Sequence, residues 1–272
     1  MPLILCGTPI GNLGDTTRRL VEALQSADVV FAEDTRRSRT LLDHLGVDKP
    51  LRSFFAGNEQ ARAGELSERL SRGETVALVT DAGMPAISDP GLVAVRAARS
   101  VGADVTVVPG PSAVTTALAA SGLPSERFVF EGFLPRKGGD RSRRIDQIAQ
   151  ESRTVVLFAS PRRVGNDFED LAGVLDGERA VFVARELTKL HEEMWSGTLE
   201  EAVDRFREPQ RGEFTVVLAG APAPEPSLDD ALEEVKVRMA EGEPLAGAVR
   251  EVARRLRVPR GRLYEAALRE QE

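Results

Sequence analysis

Three loops gather the residue types that hold small molecules: Gly7-Thr-Pro-Ile-Gly-Asn-Leu-Gly14, Thr80-Asp-Ala-Gly-Met-Pro-Ala-Ile-Ser-Asp-Pro-Gly91 and Pro109-Gly-Pro-Ser112. Each follows a short apolar run, and loops at the carboxyl ends of strands are where open α/β sheets bind ligands. Gly7, Gly11 and Gly14 do not fit the G-x-G-x-x-G spacing, and no Lys-Ser/Thr pair completes a P-loop. Pro9 and Pro85 remove backbone donors that a phosphate cradle needs. Dinucleotides and nucleoside triphosphates are therefore disfavoured. Loops rich in carbonyls and carboxylates, Asp81 and Asp89 among them, suit a ligand that is cationic or offers donors. S-adenosylmethionine, with a sulfonium, an ammonium and an adenine amine, is such a ligand.

Arginines form four clusters: Arg36, Arg37 and Arg39; Arg136, Lys137, Arg141, Arg143 and Arg144; Arg162 and Arg163; and Arg250 through Arg262. The net charge of −7 argues against a protein that coats nucleic acid without specificity. Clusters on an acidic chain read either as solvated helix faces or as local patches for a polyanion.

These residues need a scaffold, and the alternation of apolar runs with helical patterns supplies one. Strands are expected over Leu3–Cys6, Asp28–Ala32, Leu51–Phe55, Thr75–Thr80 and Asp104–Val108. Helices are expected to start at Asp15 and Thr35, over Glu59–Arg72 with Gly73 beyond its end, and over Pro90–Val101 with Asp89 as N-cap. That is a largely parallel sheet. Pro109-Gly-Pro111 breaks the pattern. A small-residue helix, Ser112–Ser121, leads into a second α/β set with strands over Phe128–Glu131, Val155–Phe158, Ala180–Arg185 and Phe214–Ala219. Its helices fall over Arg141–Gln150, Arg163–Leu175 and Thr198–Phe206, where Thr198 and Glu201 have capping-box spacing. The expected organisation is an α/β domain over 1–110, a second over 111–221, a proline-rich linker over 222–227 and a helical extension over 228–272. In the extension, helices over Leu228–Ala240, Leu245–Leu256 and Gly261–Arg269 enclose a turn, Val258-Pro-Arg-Gly261, that resembles a helix-turn-helix. Arg254 and Arg260 there are placed to contact phosphates.

At 272 residues and 42% hydrophobic content the chain can bury a sizeable core. It has no apolar run long enough to span a membrane, and Met1–Cys6 lacks the features of a signal peptide. A single cysteine, Cys6, excludes an internal disulfide and fits a reducing cytoplasm. With only His44 and His191 beside it, a zinc site is not expected, and no spacing argues for magnesium.

In order along the chain, Gly7–Asp15, Ala32-Glu-Asp-Thr-Arg36, the Thr80–Gly91 loop and Val108-Pro-Gly-Pro-Ser-Ala113 resemble the tetrapyrrole methylase superfamily. Glu131–Arg136, Arg185–Glu193 and Gly212-Glu-Phe-Thr-Val216 are similar to one branch, which 2′-O-methylates a decoding-centre cytidine of 16S rRNA. The resemblance runs from Leu3 to about Ala219. It implies two α/β domains clamping S-adenosylmethionine in a homodimer, with the small ribosomal subunit as partner. By position it puts Pro9 at the cofactor mouth and Asp81, Ala82, Gly83 and Ile87 along it. Ser112 and Ala113 would face the cofactor after the linker. From the second domain Phe158, Leu187, Glu213 and Phe214 would lie near its adenosine. Lys189 or Asp34 would act on or position the hydroxyl, Lys189 as a base only if its pKa is depressed, with His191 and Glu192 as further candidates. Arg36 and Arg136 would bind flanking phosphates.

Two positions depart from the branch. Phe158-Ala-Ser-Pro-Arg-Arg163 replaces Phe-Glu-Ser-Pro-His-Arg, so Ala159 and Arg162 stand for a carboxylate and an imidazole. Met84 stands where a threonine is common. Two other functions fit the same fold: methylation of a porphyrinoid, and non-catalytic RNA binding with a vestigial cleft.

Overall fold

The computed structural model describes residues 2–222 and 227–270. Most of the linker expected over 222–227 therefore lies outside the described residues. The chain divides into one compact unit over Met1–Ala221 and a second over Pro222–Glu272.

The first sheet of the larger unit comprises β1 (Leu3–Cys6), β2 (Val29–Ala32), β3 (Leu51–Ser53), β4 (Val76–Val79) and β5 (Val105–Val108). It is wholly parallel, in the order β3-β2-β4-β1-β5. Alternate residues explain why the central strands read as unbroken apolar runs. Ile4, Cys6, Val30, Ala32, Ala77 and Val79 meet α1 (Arg18–Ser26) and α2 (Thr35–His44) through Leu20, Leu24 and Leu42. Leu3, Leu5, Val29, Phe31, Val76 and Leu78 meet α3 (Glu59–Ser71) and α4 (Leu92–Ser100) through Leu66, Leu70, Ala94 and Ala98. The three loops singled out by sequence leave the adjacent strands β1, β4 and β5 at one edge.

The second sheet holds β6 (Phe128–Phe133), β7 (Thr154–Ala159), β8 (Ala180–Arg185), β9 (Glu193–Thr198) and β10 (Phe214–Leu218) in the order β6-β7-β10-β8-β9. Only β6 and β7 run parallel. One face carries α5 (Ala113–Ser121), whose Val114, Ala117 and Leu118 pack on Val156, Phe182, Ala184 and Val217. The other carries α6 (Gly139–Gln150), α7 (Val164–Ala172) and α8 (Leu199–Arg205). The capping box at α8 forms: Thr198 Oγ1 accepts from Glu201 N at 3.2 Å, and Glu201 Oε2 from Thr198 N at 2.9 Å.

Three local expectations are corrected. Strand β9 escaped the sequence reading because Glu-Met-Trp-Ser-Gly-Thr is a half-exposed edge without clear alternation. Thr17, not Asp15, caps α1; a 3-10 turn over Leu13–Asp15, capped by Asn12, intervenes. Gly91, not Asp89, occupies the N-cap of α4, at a φ of 150° that favours glycine. Asp89 is left free for other use.

The smaller unit consists of α9 (Leu228–Ala240), α10 (Leu245–Leu256) and α11 (Arg260–Arg269). They close on their own core of Leu232, Val235, Ala248, Val249, Val252, Leu263 and Ala267. Ser227 caps α9, and Arg257 takes a left-handed conformation between α10 and α11. Among the described residues no helix is long and apolar enough to cross a membrane.

Candidate functional site

Glycines let the three loops converge. A Cβ on Gly7 would lie 2.6 Å from Gly110 N and 2.7 Å from Met84 Sδ, so all three loops meet where no side chain fits. Thr8 and Gly83 then bridge the first two loops by paired backbone hydrogen bonds of 2.9 and 3.1 Å, and the Thr8 hydroxyl donates to Thr80 O at 3.2 Å. Beyond the bridge Ala86 and Ser88 adopt positive φ values of 69° and 61°, which costs on the order of 1 kcal/mol each and marks a loop held to one shape.

That convergence forms one wall of a cleft of about 290 Å³. Ile10, Ala82, Gly83, Met84, Ile87 and Asp89 line it from the first sheet's loops, and Ser112 and Ala113 from the start of α5. Facing them are Phe133, Phe158, Ala159, Leu187, Glu213 and Phe214 of the second sheet and its loops. Phe158 is held by edge-on contact with Phe130, ring centres 5.0 Å apart, and by Phe133 at 5.5 Å.

Among the described residues the lining contains two ionisable side chains, the carboxylates of Asp89 and Glu213, and no cationic one. Burial pushes the Asp89 carboxyl up to about 7, and the negative charges of Glu33, Asp81 and Glu213 add to it. The buried Thr80 hydroxyl pulls the other way, close enough to favour the ionised form though without a well-formed hydrogen bond. Glu213 Oε2 accepts from Lys189 Nζ at 3.0 Å, and Lys189 also reaches Glu186 Oε1 at 2.8 Å.

The expected site residues divide by place. Ala82, Gly83, Ile87, Ser112, Ala113, Phe158, Leu187, Glu213 and Phe214 line the cleft. Pro9 is buried, and the neighbouring Ile10 lines the wall in its stead. Asp81 points away from the cleft: its Oδ1 accepts from Asp34 N at 3.0 Å and its Oδ2 from Arg37 at 3.1 Å. This ties the start of α2 to the loop after β4.

The depressed pKa that a lysine base requires is not found at Lys189. Burial lowers its pKa, but hydrogen bonds to Glu186 and Glu213 outweigh burial and raise it. The flanking groups are carboxylates, and they hold the ammonium charged. Asp34 is unsuited to proton abstraction for the opposite reason. It caps α2 and pairs with Arg36, whose hydrogen bonds hold its carboxyl at about 2. His191 is exposed, and Glu192 accepts from Thr188 N at 2.6 Å. Among the lining residues not assigned from sequence, which include Ile10, Phe133 and Ala159, the ionisable one is Asp89. Its one sequence signal was its place in the Thr80–Gly91 loop, and an Asp-Pro pair before a helix reads equally as a cap.

Among the arginines, Arg36 pairs with Asp34 at 2.9 Å and Arg254 with Glu251 at 2.6 Å; both are exposed pairs that a phosphate can displace at little cost. The side chains of Arg136 and Arg260 are exposed. Ala159 leaves an apolar spot in the wall, Arg162 is exposed, and Met84 packs on Gly7. The resulting surface is aromatic and apolar with two carboxylates. It suits a cation that carries a flat ring system.

Residues 2–203 match the family model of the Tetrapyrrole (Corrin/Porphyrin) Methylases, and the chain belongs to that family. Methylases of this family use S-adenosylmethionine, whose sulfonium and adenosine agree with the carboxylates and aromatic wall just described. Among its relatives, a Ribosomal RNA small subunit methyltransferase I from Synechocystis is 43% identical over 98% of this chain and 97% of its own. A protein of the same name from Thermotoga maritima is 47% identical over 80% of this chain and 98% of its own. The fold is also that of uroporphyrin-III-C-methyltransferase from Thermus thermophilus, with a TM-score of 0.58 at 19% identity, covering 80% of this chain and 94% of that one.

Proposed function

We propose that this protein transfers a methyl group from S-adenosylmethionine to small-subunit ribosomal RNA, at the ribose 2′-oxygen of a decoding-centre cytidine in 16S rRNA. The observation that carries the reading is the 43% identity, over nearly the full length, to an rRNA methyltransferase, together with a cleft whose ionisable lining groups, among the described residues, are both carboxylates. Methyl transfer to a hydroxyl is an in-line displacement, helped chiefly by fixed geometry in a dry cleft. Lys189, held charged and paired with Glu213 of the cleft wall, positions the hydroxyl through that carboxylate or binds a neighbouring phosphate. The lobes over 1–110 and 111–221 hold the cofactor, the protein works as a homodimer in the cytoplasm, and the assembled small subunit is the substrate.

A porphyrinoid substrate is the second reading, favoured by the family description and by the tetrapyrrole enzyme of like fold. That enzyme is only 19% identical, whereas the two relatives named for rRNA above are 43% and 47% identical, so RNA is preferred. The deciding experiment incubates the protein, labelled S-adenosylmethionine and undermethylated small subunits, then maps the label. Label on one cytidine 2′-oxygen is the expected result. Absence of label from rRNA while the cofactor still binds would overturn the reading in favour of a small-molecule acceptor.

On the RNA side, Arg36 and Arg136 contact phosphates flanking the target, and Arg254 and Arg260 of the helical extension contact further phosphates. Ending the chain at Pro222 removes the extension and its core. The expected result is at least tenfold weaker binding to small subunits, a shallower dependence on salt, and a cofactor Kd within twofold of the full chain. Filter binding across a salt series measures the first two. Equal methylation efficiency in the shortened protein would dismiss the extension as an RNA contact.

A further inference from the structure

Resting on the methyltransferase reading, we infer that Asp89 is the proton acceptor of the reaction. Its carboxylate takes the proton from the attacking ribose hydroxyl as the oxygen bonds to the donated methyl. The bound cofactor supplies an electrophilic methyl on a sulfonium sulfur. An O–C bond forms as the C–S bond breaks, the electron pair of that bond stays on sulfur, and the proton rests on Asp89 before passing to water.

The geometry leads here by position and by elimination. A base must lie within hydrogen-bond reach of the hydroxyl, hence in the cleft wall. Of the two ionisable groups in that wall, Glu213 is held by Lys189, while Asp89 makes no ion pair among the described residues. Asp34, Lys189, His191 and Glu192 are absent from the wall, and three of the four are already engaged. Asp89 is itself half-buried and lines the cleft, so a hydroxyl that enters the cleft can reach it.

Three carboxylates act on Asp89 through their charge, while the Thr80 hydroxyl favours its ionised form. Glu33 comes from the end of β2, Asp81 from the loop after β4 and Glu213 from the loop before β10. The cations Arg37 and Lys189 are already paired, with Asp81 and Glu213 respectively. Together with burial, this surrounding holds the carboxyl at about 7, where it is poised to exchange a proton near neutral pH.

The test uses the full chain with Asp89→Asn and Asp89→Glu. In single-turnover methylation of small subunits, Asp89→Asn should be roughly 100-fold or more slower, and Asp89→Glu should recover part of the rate. The Kd for S-adenosylhomocysteine should stay within threefold in both. The wild-type rate should climb tenfold per pH unit up to about pH 7 and then level, and Asp89→Asn should lack that limb.

Thermal unfolding without cofactor gives an independent readout. The folded-state pKa lies above the unfolded value, so the folded protein binds the extra proton, and its stability falls as pH rises from about 4 to 7. Asparagine carries no charge. Asp89→Asn should therefore unfold several degrees above wild type at pH 8.5, and at the same temperature at pH 4.

A rate within threefold of wild type for Asp89→Asn overturns the inference. So does a cofactor Kd that rises in step with the lost rate, which would make Asp89 a binding residue. Wild-type protein that leaves rRNA unlabelled fails the functional reading instead, and Asp89 is then judged by unfolding alone. There, equal midpoints for wild type and Asp89→Asn at pH 8.5 would overturn it.

Discussion

Gly110→Ala should raise the Kd for S-adenosylmethionine by about 30-fold, equivalent to about 2 kcal/mol. The added methyl carbon would sit 2.7 Å from both Gly7 C and Gly7 O, and 2.8 Å from Gly7 Cα. Every one of those atoms is backbone, so no side chain can rotate aside, and one loop must move. Overpacking of this kind costs about 1–3 kcal/mol. The loop after β1 cannot yield freely, because Gly7 N donates to Val108 O at 2.9 Å and Thr8 is bridged to Gly83. The loop after β5 therefore shifts, carrying Ser112 and Ala113 out of the cleft wall. Gly73→Ala is the matched control: Gly73 has a φ of +84° and open space around it, far from the cleft. That variant should lose about 1 kcal/mol of stability and keep its cofactor affinity. Calorimetric titration distinguishes the two, and a Gly110→Ala protein that binds within threefold of wild type would show that the loops yield.

Local chemistry carried the fold into the sequence. Runs such as Leu3–Cys6 and Val76–Val79 are apolar on both faces, which only a covered parallel strand requires. The Thr198–Glu201 spacing fixed the start of α8, and the periodicity over Leu228–Ala240 and Leu245–Leu256 fixed α9 and α10 at both ends. What stayed hidden depends on partners distant in the chain. The first-domain end of the site was visible as Gly, Pro and Asp in loops. The charge state of Lys189 was not, because Glu213, which stands 24 positions away, helps to set it. Asp89 was hidden by ambiguity: the same Asp-Pro pair serves a helix cap or a cleft wall, and only Gly91 at the N-cap decides between them.

Arg179→Met should be the most destabilising change of a polar residue in the larger unit, at about 3–5 kcal/mol. Arg179 is 6% exposed, yet among the described residues no carboxylate hydrogen-bonds to it. Its Nε donates to Ala219 O at 2.5 Å, Nη1 to Ile148 O at 3.0 Å and Ala149 O at 3.5 Å, and Nη2 to Glu151 O at 3.2 Å. Three of those acceptors belong to the C-terminal end of α6 and the residue beyond it, where the i+4 donors of the helix run out and the helix dipole favours a cation. The fourth lies just beyond β10, so one guanidinium fastens helix to sheet. Burial lowers its pKa, with the charge of Glu151 opposing, but an arginine starts high enough to stay charged. Methionine fills comparable space and satisfies none of the four carbonyls; Ile148 O and Glu151 O keep backbone donors, Glu151 N at 3.3 Å and Ala221 N at 2.6 Å, while Ala219 O and Ala149 O are left, each worth about 1–3 kcal/mol if dry. Water entering from the rim recovers part of that sum, which keeps the expected loss below the simple total. For a unit of this size the unfolding midpoint should fall by roughly 10 °C. Arg179→Lys should lose about half as much, since an ammonium cannot span the fan. Arg18→Ala, which breaks an exposed pair with Glu22, should shift the midpoint by less than about 2 °C. If Arg179→Met unfolds within 3 °C of wild type, water reaches the end of α6 and the guanidinium is not its fastening.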